Sequence, residues 1–319
     1  MDLYCIGELL VDFMPGDQPG SYVRSPGGAP ANVAVAAARN GLTAGMNCMV
    51  GDDGFGQFLL DTLRENGVRP LNSRLCTQAV TTMAFVTRLP GGERAFTFAR
   101  KPGADQFLSE EDVREQTLEE TVMIHAGSFS LSAASADAAT RKALRLGHEM
   151  GKLVSFDVNY RDGIWNGDAA ACREAVMTCL PWIDILKVSE EESALFGGEA
   201  AFPALMRQYA LTVVVETRGA AGARAWYDGQ VLQVPGHPVR CVDATGAGDA
   251  FFGGLLSSLR LQHVEHAPDL TREILLRALQ YGNAAGALCV QKSGAIPALP
   301  ALAQIEQFLR GSGSGREPG

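Results

Sequence analysis

At 319 residues and 46% hydrophobic side chains, the chain is long enough to bury a large core, and one α/β domain with a small appendage is expected. A formal charge of −9 argues against a general polyanion-binding role, and no apolar run approaches the ~20 residues of a membrane span, so no nucleic-acid or membrane partner is expected. Seven cysteines are dispersed without paired spacing, and Cys5, Cys48 and Cys289 lie in apolar stretches, which implies reduced thiols and a cytoplasmic protein.

In chain order, Met1 leads at once into an apolar run from Leu3 to Phe13, so no signal peptide is expected, and the run reads as a first central strand with Asp12 at its end. Pro30 to Asn40, followed by Gly41, predicts a helix with Pro in its first turn and Gly past its end. Strands near 45–50, 122–125, 154–158, 183–188 and 213–217 alternate with helices near 56–66, 133–150, 169–179 and 202–209. This alternation predicts βαβ units and a mainly parallel sheet covered on both faces. Thr81 to Leu89 and Arg94 to Arg100, joined by Pro90-Gly91-Gly92-Glu93, break the pattern and read as a β-hairpin. With the polar loop from Asp17 to Arg24 the hairpin predicts a lid that excludes water from a site. Phe252, Leu255, Leu256 and Leu259 fall at helical spacing, which starts a further helix near Gly246. From Gly311 to Gly319 the chain is Gly/Ser-rich and reads as a flexible tail.

The strongest chemical signal is Asp243-Ala244-Thr245-Gly246-Ala247-Gly248-Asp249, at the start of that last helix. Free N–H groups and the positive end of the helix dipole receive an anion there, and small residues allow its close approach. Asp249, beside such a site, is placed to take a proton from a hydroxyl that attacks phosphate. By itself the segment serves equally well as a glycine-rich turn with an acid favoured by the dipole.

The segment resembles the D-T-x-G-A-G-D signature of the ribokinase-like (PfkB) carbohydrate kinases, with Ala244 and Thr245 departing slightly from it. The resemblance runs from about Leu3 to Leu309 through five ordered motifs. It implies a ribokinase-like three-layer α/β/α fold over residues 1–310, with a mainly parallel central sheet and a small β lid at about 13–26 and 72–104. It implies ATP and Mg²⁺ as cofactors, and K⁺ as a further one. Asp249 takes the role of catalytic base, and the backbone of Gly246, Ala247 and Gly248 that of anion hole. Asp12, Gly27, Gly28 and Asn32 hold the sugar hydroxyls. Asp157 and Asn159 serve the metal-phosphate side and Arg161 meets the substrate. Lys187 and Glu192 belong to the cofactor side, with Glu192 organising hydrated Mg²⁺ and Ser189 standing where the family commonly has Asn. Thr217, Gly219 and Gly222 form the nucleotide loop, and Asn283 contacts adenine. Asp243 and Thr245, with carbonyls near Cys289, Lys292 and Gly294, match the potassium loop.

The run from Gly92 to Asp105 looks like the G-E-R-x-F-x-F-x-R-x-P-x-A-D segment of fructokinases, which brings Phe98 and Arg100 to the sugar from the lid. The expected substrate is therefore D-fructose, phosphorylated at the expense of ATP. Aminoimidazole riboside, 2-keto-3-deoxygluconate and ribose kinases of the same family stay open, as does a non-catalytic sugar-binding regulator. A dinucleotide-dependent oxidoreductase is disfavoured because Glu8-Leu9-Leu10-Val11-Asp12, not G-x-G-x-x-G, follows the first strand. A homodimer through the lid is a family habit.

Overall fold

The structure, a computed structural model, describes residues 1–16, 18, 20–72, 74–88 and 94–313. The turn at 90–93, part of the 17–24 loop and the tail from 314 onward lie outside the described residues.

Among the described residues, nine strands form one sheet: β1 (Leu3–Ile6), β4 (Ala44–Asn47), β5 (Val68–Pro70), β8 (Met123–Gly127), β9 (Leu153–Asp157), β10 (Ile185–Ser189), β11 (Val213–Thr217), β12 (Ala223–Tyr227) and β13 (Gln230–Val234). Their spatial order is 13-12-11-10-9-8-1-4-5, parallel from β11 to β5, with β12 antiparallel to both of its neighbours. A smaller sheet combines β2 (Leu10–Pro15), β3 (Tyr22–Gly27), β6 (Met83–Arg88) and β7 (Arg94–Ala99) in the order 3-2-6-7.

The helices are α1 (Ala29–Arg39), α2 (Gly54–Glu65), α3 (Glu115–Glu119), α4 (Ala134–Glu149), α5 (Asp162–Trp165), α6 (Ala169–Met177), α7 (Glu190–Ser193), α8 (Phe202–Tyr209), α9 (Ala247–Leu261), α10 (Arg272–Cys289) and α11 (Leu302–Gly313). Because side chains alternate across a strand, Leu3 and Cys5 of β1 and Val213 and Val215 of β11 join one core with α1, α9 and α10. Tyr4, Ile6 and Val214 join the opposite core with α4, α6 and α8. Two cores on two faces make the three-layer α/β/α sandwich that the alternation predicted.

Three expectations are corrected. The apolar run from Leu3 to Phe13 is two strands, because the chain turns out of the main sheet at Gly7, whose φ of 146° suits glycine and where a Cβ would meet Pro30 Cγ at 2.8 Å. Asp12 therefore rides on the small sheet, opposite Ser25 of β3 and Ala84 of β6. The antiparallel pair β12 and β13 follows β11 with only a 3₁₀ turn at Gly219–Ala221 between, where the sequence reading had placed no strands. The last helix continues through Gly313, past the start of the expected tail.

Candidate active site

The small sheet overhangs the C-terminal ends of β1, β8 and β9, the edge at which open α/β sheets bind ligands. Under it lies a pocket lined by Glu8, Leu10, Asp12, Gly28, Ala29, Asn32, Phe98, Gly127, Ser128, Phe129, Asn159, Arg161, Thr245, Gly246 and Asp249. Nine of these residues were expected from the sequence, drawn from five separate segments.

Asp249 lies in the first turn of α9, which Gly246 precedes as N-cap. It is 7% exposed, and Asn32 Nδ2 donates to its Oδ2 at 2.7 Å across 217 residues of sequence. Burial raises its carboxyl above the ordinary range, while the bond from Asn32 opposes that rise. A carboxylate with a raised proton affinity, held at a helix start, can accept a proton from a hydroxyl. Ala247 N–H already donates to Ala244 O at 3.2 Å, so an anion at this helix start draws on the neighbouring N–H groups.

Asp12 faces the pocket from β2, and burial pushes its carboxyl up to about 7, with Arg161 opposing. Gly28 is demanded by packing, since a Cβ there would sit 2.4 Å from Glu8 O. Gly27 makes room rather than wall: a Cβ on it would overlap Asp12 Oδ2 at 2.2 Å, and the residue is absent from the lining. Phe98 lines the pocket from β7 and meets Phe129 edge-on at 5.9 Å. Arg100, expected beside it, is displaced from the wall. Its Nε and Nη2 grip Asp105 Oδ2 at 2.8 and 2.7 Å, Nη1 donates to Ser132 Oγ, and the guanidinium stacks 4.6 Å from the Phe129 ring. Arg100 thus braces Phe129 from behind, because a buried guanidinium needs a carboxylate and Asp105 supplies it.

Below the pocket, Lys187 Nζ is buried and bridges both Asp157 oxygens at 2.9 and 2.8 Å. The ammonium lies 3.5 Å from where a Cβ on Gly248 would stand, so its charge abuts the start of α9. Glu192 and Ser189 form a capping box: Ser189 Oγ accepts from Glu192 N–H at 3.2 Å, and Glu192 Oε2 from Ser189 N–H at 2.8 Å. Glu192 Oε1 also accepts from Tyr160 N–H at 2.7 Å. Ser at 189 thereby does the work of a helix cap, and Glu192 ties β10 to the 158–161 turn.

Along the same edge, Thr217 ends β11, and Gly219 and Gly222 follow it. Gly219 faces open space, whereas a Cβ on Gly222 would run into Val234 O at 2.2 Å, so Gly222 answers to packing. Asn283 Nδ2 donates to Val234 O and Pro235 O, both at 3.1 Å, and orders that backbone directly. Beside α9, Asp243 accepts from Thr245 N–H at 2.8 Å, Gly294 N–H at 3.1 Å and Ser293 Oγ at 3.3 Å. Lys292 N–H donates to Cys289 O at 3.1 Å and Cys289 Sγ to Thr245 O at 3.8 Å, so Asp243, Thr245, Cys289, Lys292 and Gly294 lie together beside α9.

Sequence reasoning missed the other six lining residues, Leu10, Ala29 and Gly127 along with Glu8, Ser128 and Phe129. Glu8 stood inside a motif already singled out, but its burial was not visible. Ser128 and Phe129 follow β8 directly, and their place at a strand end was the available signal.

A buried carboxylate at a helix start, roofed by a sheet carrying Asp12 and Phe98, is an arrangement chemically suited to taking a proton from a hydroxyl. The family model "pfkB family carbohydrate kinase" matches residues 1–302, and the chain belongs to that family. It is 36% identical over 314 residues to Fructokinase-2 of Oryza sativa subsp. japonica, covering 95% of this chain and 92% of that one. Among solved structures it resembles the fructokinase with bound ATP from Xylella fastidiosa, with a TM-score of 0.91, 31% identity, and 98% and 99% of the two chains covered. It also resembles the fructose-, ADP- and calcium-bound fructokinase from Vibrio cholerae O395, with a TM-score of 0.85, 33% identity, and 97% and 99% covered. The protein is a sugar kinase, a phosphotransferase with an alcohol acceptor.

Proposed function

We propose that the protein transfers the γ-phosphoryl group of ATP to the primary hydroxyl of D-fructose, giving fructose 6-phosphate and ADP. The observation that carries this reading is Asp249, buried in the pocket under the small sheet and held by Asn32. The fructokinase relatives and the ATP- and fructose-bound neighbours support the choice of substrates. Asp249 takes the proton of the hydroxyl as its oxygen bonds to the γ-phosphorus, and the bond from that phosphorus to the bridging oxygen of ADP breaks. The N–H groups at the start of α9 and the Lys187 ammonium stabilise charge on the transferring group. Asp12 and Asn32 orient the sugar while Phe98 excludes water.

The residues fit the implied ions. Asp157 and Glu192 share one ammonium near Asp249, an excess of negative charge that suits Mg²⁺ held through water, and bound Mg²⁺ neutralises phosphate charge. Buried Asp243 with the oxygens of Thr245, Cys289, Lys292 and Gly294 suits a hard monovalent cation such as K⁺. The open face of Gly219 admits the nucleotide. Six of the seven cysteines are buried free thiols, which supports a cytoplasmic setting.

The test is coupled ADP release with fructose, ribose, 2-keto-3-deoxygluconate and aminoimidazole riboside, with the product's phosphate position read by NMR. Fructose should give the highest kcat/KM and a 6-phosphate. Preference for a riboside would overturn the fructose assignment, and absence of turnover with every sugar would favour a sugar-binding regulator.

A further inference from the structure

Glu8, wedged between the end of β1 and the start of α1, is 3% exposed and lines the pocket with Asp12, Asn32 and Asp249. Its Oε1 accepts from Ala29 N–H at 2.8 Å, while Oε2 is buried and has no hydrogen-bond partner among the described residues. Asn32, one turn further along α1, mirrors this condition. Its Nδ2 is spent on Asp249, and its Oδ1 is buried without a partner among the described residues. Buried polar atoms are normally satisfied, so two orphans on one pocket wall indicate a ligand that completes both.

The charges facing Glu8 are the carboxylates of Asp105, from the turn after β7, and of Asp249, from α9. Asp12 and Arg161 line the same pocket, and Arg100 is taken by Asp105. Burial first, then these two acids, push the Glu8 carboxyl up to about 8, so it keeps its proton at neutral pH. With Oε1 already accepting, that proton belongs on Oε2.

We propose that Glu8 is a specificity residue of the sugar pocket: its Oε2 hydroxyl donates to the oxygen of one sugar hydroxyl, and that hydroxyl in turn donates to Asn32 Oδ1. A hydroxyl supplies both the lone pair and the proton that this pair requires, whereas a methylene supplies neither. Without the hydroxyl both protein atoms stay buried and unpaired, so the site rejects the deoxy analogue.

This inference rests on the sugar-kinase reading above. Its test compares wild type, Glu8→Gln and Glu8→Met by sugar KM, ATP KM and calorimetric sugar affinity. The amide of E8Q reproduces the neutral acid, one oxygen accepting from Ala29 and one N–H donating, so its sugar KM should stay within about threefold of wild type. E8M should raise the sugar KM ~30-fold and leave ATP KM and kcat within about threefold. For one monodeoxy analogue of the accepted sugar the E8M penalty should vanish. An unchanged sugar KM in E8M, an equal penalty in E8Q and E8M, or a penalty that persists with every analogue overturns the proposal. Should E8M not fold, sugar affinity of wild type and E8Q is compared at about pH 6.5 and 9.5: Asp12 titrates in both proteins, and the wild type should weaken by roughly tenfold more than E8Q as Glu8 ionises. Parallel behaviour of the two proteins overturns the proposal. Wild-type turnover is read separately, since failure with fructose but not with another sugar removes the fructose assignment and leaves the Glu8 comparison intact with that sugar.

Discussion

Asp249 and Asn32 are 217 positions apart, and the 2.7 Å bond between them holds the carboxylate and opposes the rise in proton affinity that burial produces. Replacing Asp249 by Asn keeps the shape and removes the base, so kcat should fall by ~10² to 10⁴ while calorimetry still reports sugar binding. Wild-type turnover in that variant would end the general-base assignment. Removing the Asn32 side chain should act in a different way. Its N–H lowers the proton affinity of Asp249, so in Asn32→Ala the carboxyl rises further and the acid limb of kcat moves to higher pH. An acid limb that stays in place would show that Asn32 does not tune the base.

At the scale of elements, the site depends on how strands end and helices begin. The Ser189 and Glu192 capping box starts α7 immediately after β10, and Glu192 reaches back to the turn after β9. Ser189→Ala removes one reciprocal bond and should cost about 1 kcal/mol in urea unfolding. A loss no larger than experimental error would mean that the backbone there is held by other contacts. The small sheet works at the same level. β2 delivers Asp12 and β7 delivers Phe98 to one pocket because β6 lies between them, parallel to the first and antiparallel to the second. The helix start at 246, the alternation and the hairpin were legible from local pattern. The split at Gly7 was not, because an apolar run looks the same whether or not its second half leaves the sheet. Arg100 was misplaced for a related reason, since its partner Asp105 lies only five residues away but their burial together is a tertiary fact.

For the whole molecule, the pocket gathers carboxyls whose folded-state proton affinity is raised: Glu8 to about 8, Asp12 to about 7, and Asp249 in the same direction. A group raised on folding contributes stability that is present below its unfolded value, and this is lost as pH rises through its folded value. The ligand-free protein should therefore lose Tm between about pH 5 and 8, and E8Q should lose less over that window. Carboxyls lowered by their partners, Asp53 and Asp112 among them, titrate below the window and do not mask the difference. Superimposable Tm curves for wild type and E8Q would show that Glu8 is already ionised.

The sequence by itself determined the layered α/β architecture, the helix that begins at the glycine-rich turn and the identity of Asp249, Asp12 and Asn32 as pocket residues. The first two follow from periodicity and from backbone groups left free at a helix start; the three pocket residues follow from the resemblance of their motifs to the sugar-kinase family. The tertiary structure decided which side chains face the pocket and in what protonation state. It drew Arg100 behind Phe129, turned Gly27 and Gly222 into packing requirements, and left Glu8 Oε2 and Asn32 Oδ1 buried without partners among the described residues. Burial and pairing depend on elements far apart in the chain, and no window of sequence contains both partners of a contact such as Asn32 with Asp249.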